Sequence, residues 1–202
     1  MSAIVIGIIG ILVLFLLLAM RMQIGFAMAL VGFVGFTILN SFEAGMGVLG
    51  MQPLDASASY TLSVIPLFLL MGQFANHSGM GGDIYRMLYR WIGFLPGGLA
   101  MATVGACACF AAISGSSLAT AAMFGTIALP EMKKLDYADT LATGCIAAGG
   151  TLGILIPPSS VLILYGILTE QSIAKLFIAG MVPGVLLALI FILTVYVITR
   201  FN

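Results

Sequence analysis

The sequence predicts an all-α integral membrane protein, and three observations predict it. Of 202 residues, 62% are hydrophobic and only 7% are charged, too few polar side chains to cover a soluble domain. The apolar residues gather in runs near the roughly 20 that a helix needs to cross a hydrocarbon core about 30 Å thick. Two of these runs are too long for one crossing and are interrupted by Ser, Gly or Pro, which marks a re-entrant helical hairpin and a broken helix among ordinary transmembrane helices.

Seven Lys and Arg balance seven Asp and Glu, which argues against a nucleic-acid partner and against a polybasic membrane-surface domain. Cys107, Cys109 and Cys145 sit in apolar runs without CxxC or His spacing and read as packing residues. The 13 Met and 13 Phe residues read as packing or lipid-facing material. The N-terminus is apolar from its second residue, with no basic region or clear cleavage site, and is expected to remain as a span.

Ala3 to Met20 and Gln23 to Leu39 form two spans separated by Arg21, and Tyr60 to Ala75 forms a third after a loop carrying Glu43 and Asp55. That loop contains Gly45, Gly47 and Gly50 in GxGxxG spacing, but no strand precedes them, so a dinucleotide site is not expected. Gly82 to Gly93 places Asp83, Arg86 and Arg90 on one helical face and Ile84, Met87, Leu88 and Trp91 on an apolar one. Such a helix lies along the membrane interface.

Phe94 to Pro130 is interrupted at Ser114, Gly115, Ser116 and Ser117, and charge returns at Glu131, Lys133 and Lys134. A chain that reverses at the serines has a second arm, Ser116 to Pro130, of about 22 Å, so its polar tip lies inside the membrane. With the N-terminus outside, this reversal puts Arg21, Arg86, Arg90, Lys133, Lys134 and Arg200 on the cytoplasmic side and leaves Lys175 outside, as the positive-inside rule requires. Thr140 to Thr169 is about 45 Å as one helix and breaks at residues 149 to 160, where Pro157 and Pro158 remove backbone donors and Ser159 and Ser160 can cap a new helix. Leu176 to Thr199 is the last span.

Irregular backbone at membrane depth needs protein or a watery cavity to satisfy it. Helix ends at the two interruptions supply carbonyls for cations and N–H groups for anions. Ser114, Ser116, Ser117, Thr151 and carbonyls near Gly149 and Gly150 are candidate sodium ligands. Tight helix packing is the competing reading of the same small residues. Ser114 with His77 suggests an intramembrane serine hydrolase, but Ala112 replaces the first Gly of a GxSG pattern and His77 lies beside Asn76 and Ser78 near the interface. A purely structural membrane subunit is a third reading, and Glu131 and Asp136 read as solvated charges.

Five fragments then carry a resemblance: Ile65 to Gly72 (IPLFLLMG), Phe94 to Gly98 (FLPGG), Ala112 to Ala122 (AISGSSLATAA), Leu129 to Met132 (LPEM) and Gly150 to Ser159 (GTLGILIPPS). In this order they resemble the large membrane subunit of tripartite ATP-independent periplasmic (TRAP) transporters, along the whole chain. The resemblance implies one inverted-repeat unit, the N-terminal half of that subunit, in a multi-pass protein of the bacterial inner membrane. It implies no enzyme and no cofactor, but sodium-coupled uptake of an organic acid such as a dicarboxylate or sialic acid. A periplasmic substrate-binding protein, a small four-helix membrane subunit and the C-terminal half of the large subunit would be the partners. It further implies scaffold helices and an interfacial arm over 1–93, an elevator part over 94–170 with a hairpin at 94–130 and a broken helix at 140–169, and a final helix over 171–202. Ser114, Gly115, Ser116, Ser117, Gly149, Gly150, Thr151 and Pro157 would line the sodium and substrate region. Because the family's subunit is about twice as long, the chain reads as a fragment or truncated product, and transport by it alone is not expected. A related sodium-coupled carboxylate carrier without a binding protein is the alternative among transporters.

Overall fold

In the computed structural model, residues 2–59 and 62–201 are described, and every regular element among them is helical. The chain divides into two compact units, residues 1–60 and 61–202. This packing boundary differs from the expected functional boundary at 93/94, because helices 64–92 pack with the second unit.

The first unit contains α1 (Ala3–Ala19), α2 (Ile24–Leu39) and α3 (Phe42–Ala58). Ser2 and Ser41 cap α1 and α3 by accepting from the backbone N–H groups of Val5 and Ala44, which satisfies donors that a helix start leaves free. Two apolar helices therefore lie where hydropathy puts the first two spans. The expected loop with Glu43 and Asp55 is instead α3. Ser41 and Glu43 start this helix favourably, and Gly45 lets it approach Thr37 and Phe33 of α2. The three glycines of the GxGxxG spacing thus lie along a helix, not in a phosphate-binding turn.

The second unit contains α4 (Val64–His77), α5 (Met80–Ile92), α6 (Gly98–Ser114), α7 (Ser117–Lys134), α8 (Asp139–Leu155), α9 (Ser160–Leu168) and α10 (Ile173–Phe201). The first residues of the expected third span, Tyr60 and Thr61, lie outside the described residues. Helix α6 is central and packs against α4, α5, α7, α8 and α10. Its many Ala and Gly residues make this possible: Ala100, Ala102, Gly105, Ala106 and Ala111 are all buried, and small side chains let backbones meet where lipid provides no hydrophobic drive between helices. Phe110 of α6 and Phe124 of α7 meet edge to face at 5.9 Å, an arrangement that contributes about 0.5–1.5 kcal/mol beyond burial.

The long apolar run does reverse at the serines. Leu99 at the start of α6 and Leu135 just beyond α7 line one cavity, so the hairpin returns to the end from which it departed. The second arm does not stop at Pro130: α7 runs through it to Lys134. Its 18 residues measure about 27 Å, still short of a 30 Å core.

Two helical segments, Asp139–Leu168 with its internal break and Ile173–Phe201, are long and apolar enough to cross a membrane. Much of α10 is uncovered, with Ile178, Val182, Leu186 and Leu193 exposed. On α5 the packed side is made by Gly81 and Tyr85, with Ile84, Leu88 and Ile92 against the core. Met87 and Trp91, expected on the apolar face, are exposed and line a shallow depression with Asp83, Arg86 and Arg90. A helix burying one narrow stripe leaves its flanking apolar residues free.

Candidate functional site

The hairpin tip and the helix break meet. Helix α6 ends at Gly115, whose φ of 58° lies in the left-handed region, where a glycine avoids the Cβ clash of other residues. The turn directs the Gly115 carbonyl toward the start of α9, where it accepts from the Ser160 backbone N–H at 3.3 Å and the Ser160 hydroxyl at 3.0 Å. A negative helix end is thereby joined to a positive one. On the other side of the turn, Ser116 caps α7 by accepting from the Ala119 N–H at 3.3 Å. Ser159 caps α9 by accepting from the Leu162 N–H.

Close backbone approach holds this junction together. A Cβ on Gly153 of α8 would lie 2.7 Å from the Ser116 carbonyl oxygen and 2.9 Å from the Ser117 nitrogen. One on Gly150 would lie 2.7 Å from the Ala121 Cβ, and one on Gly149 would lie 2.9 Å from the Cys107 Sγ. On α4, a Cβ on Gly72 would lie 3.0 Å from the Ser114 carbonyl oxygen. Gly149, Gly150 and Gly153 therefore make α8 a smooth surface on which α6, α7 and the tip rest.

The expected site residues divide into two groups. Gly115, Ser116, Ser117 and Gly150 are brought to the junction, and the Pro157–Pro158 segment lies over Gly115, whose added Cβ would be 2.8 Å from the Pro158 carbonyl. Ser114 is buried and its hydroxyl is engaged with Thr120 at 2.9 Å, while Thr120 donates to the Ser116 carbonyl at 2.8 Å. With the Thr120 proton so used, Ser114 is the donor between the two hydroxyls. Thr151 is exposed and donates to the Ala148 carbonyl of its own helix at 2.6 Å. Successive residues of a helix are turned by about 100°, so the face carrying Gly150 and Gly153 to the tip carries Thr151 away from it. Gly149 packs on α6. Sequence reasoning named Ser160 only as a possible helix cap and did not single out Thr120 or Gly153. Gly149 and Gly153 at i, i+4 were the readable signal of close helix contact.

A family profile described as "Tripartite ATP-independent periplasmic transporter, DctM component" matches residues 11–202. The chain belongs to this family. Among its TRAP relatives, the C4-dicarboxylate TRAP transporter large permease protein DctM of Pseudomonas aeruginosa is 44% identical over 164 residues, covering 81% of this chain and 38% of that protein. The isethionate TRAP transporter permease protein DctMQ of Oleidesulfovibrio alaskensis is 34% identical over 180 residues, covering 89% of this chain and 28% of that protein. The sialic acid TRAP transporter large permease protein SiaM of Vibrio cholerae is 32% identical over 184 residues, covering 91% and 43%. The chain thus spans less than half the length of these relatives.

Membership in the TRAP family places the chain among transporter components and not among enzymes. In the structure Ser114 bonds with Thr120, and His77, exposed on α4, meets the Gln73 carbonyl through its Nδ1 at 2.9 Å.

Proposed function

We propose that this chain is the N-terminal repeat of a TRAP large permease in the bacterial inner membrane. In this reading the whole permease takes up an organic acid delivered by a periplasmic binding protein, coupled to sodium and assisted by a small four-helix subunit. The observation that carries it is the bond between the Gly115 carbonyl and Ser160, which brings two interrupted helices to one point. Such paired helix ends are what transporters use to hold ions and anionic substrates near the membrane midplane. The hydroxyls of Ser116 and Ser117 and the carbonyls at the end of α8 are the oxygens best placed for sodium. Ser114 supports the tip through Thr120, and Thr151 serves only in an arrangement where α8 is covered by further chain. Dicarboxylates and sialic acid, substrates named for relatives, define the expected class of organic acid.

Ser116→Ala tests this reading in the full-length permease, reconstituted with its partners. Loss of one oxygen ligand is expected to weaken the sodium dependence of uptake by about 5- to 150-fold. Ser2→Ala, which removes a cap on the exposed start of α1, is expected to leave the sodium titration unchanged. An unaltered titration in Ser116→Ala would reduce Ser116 to a helix cap.

A further inference from the structure

Both half-helices of the break rest on one residue of α10. A Cβ on Gly180 would lie 2.9 Å from the Leu155 carbonyl oxygen at the end of α8, 3.2 Å from Leu162 Cδ1 in the first turn of α9, and 3.7 Å from Pro157 Cγ between them. One turn further on, a Cβ on Gly184 would lie 2.8 Å from Ile156 Cγ1 and 3.4 Å from its Cα. Both glycines are buried, whereas Met181, Val182, Val185 and Leu186 around them are exposed. At this level α10 turns its bulk outward and brings its backbone to the break.

The last carbonyls of a helix have no partner within it. In α8 the Leu152 carbonyl accepts from the Ile156 N–H at 2.8 Å, while the Leu155 carbonyl faces Gly180. Where that carbonyl lies decides where the chain leaves α8. Through Pro157 and Pro158 the same chain reaches Ser160, whose hydroxyl donates to the Gly115 carbonyl. The tip thus holds the break through Pro158 and Ser160, and α10 holds it through Leu155 and Pro157. Gly180 lies within regular helix, where glycine is less favourable than alanine. Alanine at 180 would therefore favour α10 as a helix, so any loss it causes comes from contact with the break.

We infer that Gly180 is a positioning residue of the ion site, fixing the Leu155 carbonyl and with it the start of α9 where tip and break meet. This rests on the reading of that junction as the place of sodium. A methyl group on Gly180 cannot share the space of a backbone oxygen at 2.9 Å, so the end of α8 has to shift. A methyl group on Gly184 first meets a side chain, that of Ile156, and its distance to the backbone is an ordinary contact. Gly184 is therefore the milder site.

The test uses the full-length permease. Sodium dependence of uptake is measured in liposomes with its partners, and amide exchange over residues 155–162 is measured in detergent without sodium. Gly180→Ala is expected to raise the half-saturating sodium concentration about tenfold, with the rate at saturating sodium kept within about twofold. It is also expected to speed exchange of the Ile156 and Ser160 amides about tenfold. Gly184→Ala is expected to move both readouts less, and carries the same comparison where Gly180→Ala does not accumulate in the membrane. Val182→Leu, at an exposed position between them, is expected to move neither. Unchanged exchange at the break in Gly180→Ala would overturn the proposal. Ser116→Ala is titrated beside these variants. A sodium shift there with none in Gly180→Ala would overturn the positioning role alone, and a shift in neither would overturn the sodium reading and the positioning role with it.

Discussion

Gly115→Ala is expected to abolish uptake by the full-length permease and to lower its stability by about 2–5 kcal/mol. Two independent costs add. Gly115 has a φ of 58°, a conformation that costs an L-residue about 1–2 kcal/mol. The new methyl group would also lie 2.5 Å from a ring carbon of Phe68 and 2.8 Å from the Pro158 carbonyl oxygen. The Phe68 ring can turn aside, but the Pro158 oxygen is backbone, so the tip must move, and overpacking of this kind costs about 1–3 kcal/mol. Movement of the tip withdraws the Gly115 carbonyl from Ser160 and separates the two helix interruptions. Thermal unfolding in detergent and uptake in liposomes measure the two effects. A Gly115→Ala protein with wild-type stability and uptake would show that the junction tolerates displacement.

Gly153→Leu is expected to have a comparable effect by a different route. Its Cβ would meet Ser116 and Ser117 backbone atoms at 2.7 to 2.9 Å, and a whole isobutyl group has no space between α8 and the tip. The backbone of α8 is not itself strained, so the loss, on the order of 3 kcal/mol, comes from pushing the hairpin off its support. Gly144→Leu on the same helix is the matched control, because a Cβ there meets nothing within 4 Å. Comparison of the pair by thermal unfolding separates contact with the tip from a general effect of leucine in α8. Equal stability of the two variants would remove Gly153 from the junction.

Hydropathy made α1, α2 and α10 legible in the sequence, because a lipid-exposed helix has to be apolar along its length. The hairpin and the break were legible for a related reason: their runs exceed one crossing, and Ser114 to Ser117 and Pro157–Pro158 mark where the chain departs from helix. Helix α3 was not. Its glycines, Pro53 and acidic residues favour a loop locally, and it is held by the Ser41 cap and by the fit of Gly45 against α2. The site was half legible. Ser116 and Gly115 could be placed at a turn, but the bond from Gly115 to Ser160 joins residues far apart in sequence, and nothing local encodes it. Thr151 illustrates the same limit, since a residue adjacent to Gly150 belongs to another face once α8 is fixed by its glycines.

We propose that the junction of tip and break is where sodium binds in the assembled permease. A single cysteine in place of Leu118, exposed at the start of α7, on a full-length background with Cys107, Cys109 and Cys145 replaced by alanine, tests it most directly. The rate of modification by a small maleimide is measured in sodium and in choline at equal ionic strength. Sodium is expected to slow modification with a saturable dependence that matches its effect on uptake, because the ion would hold the tip and cover the start of α7. Identical rates in sodium and choline, in a protein that still performs sodium-driven uptake, would place the ion elsewhere and contradict the account.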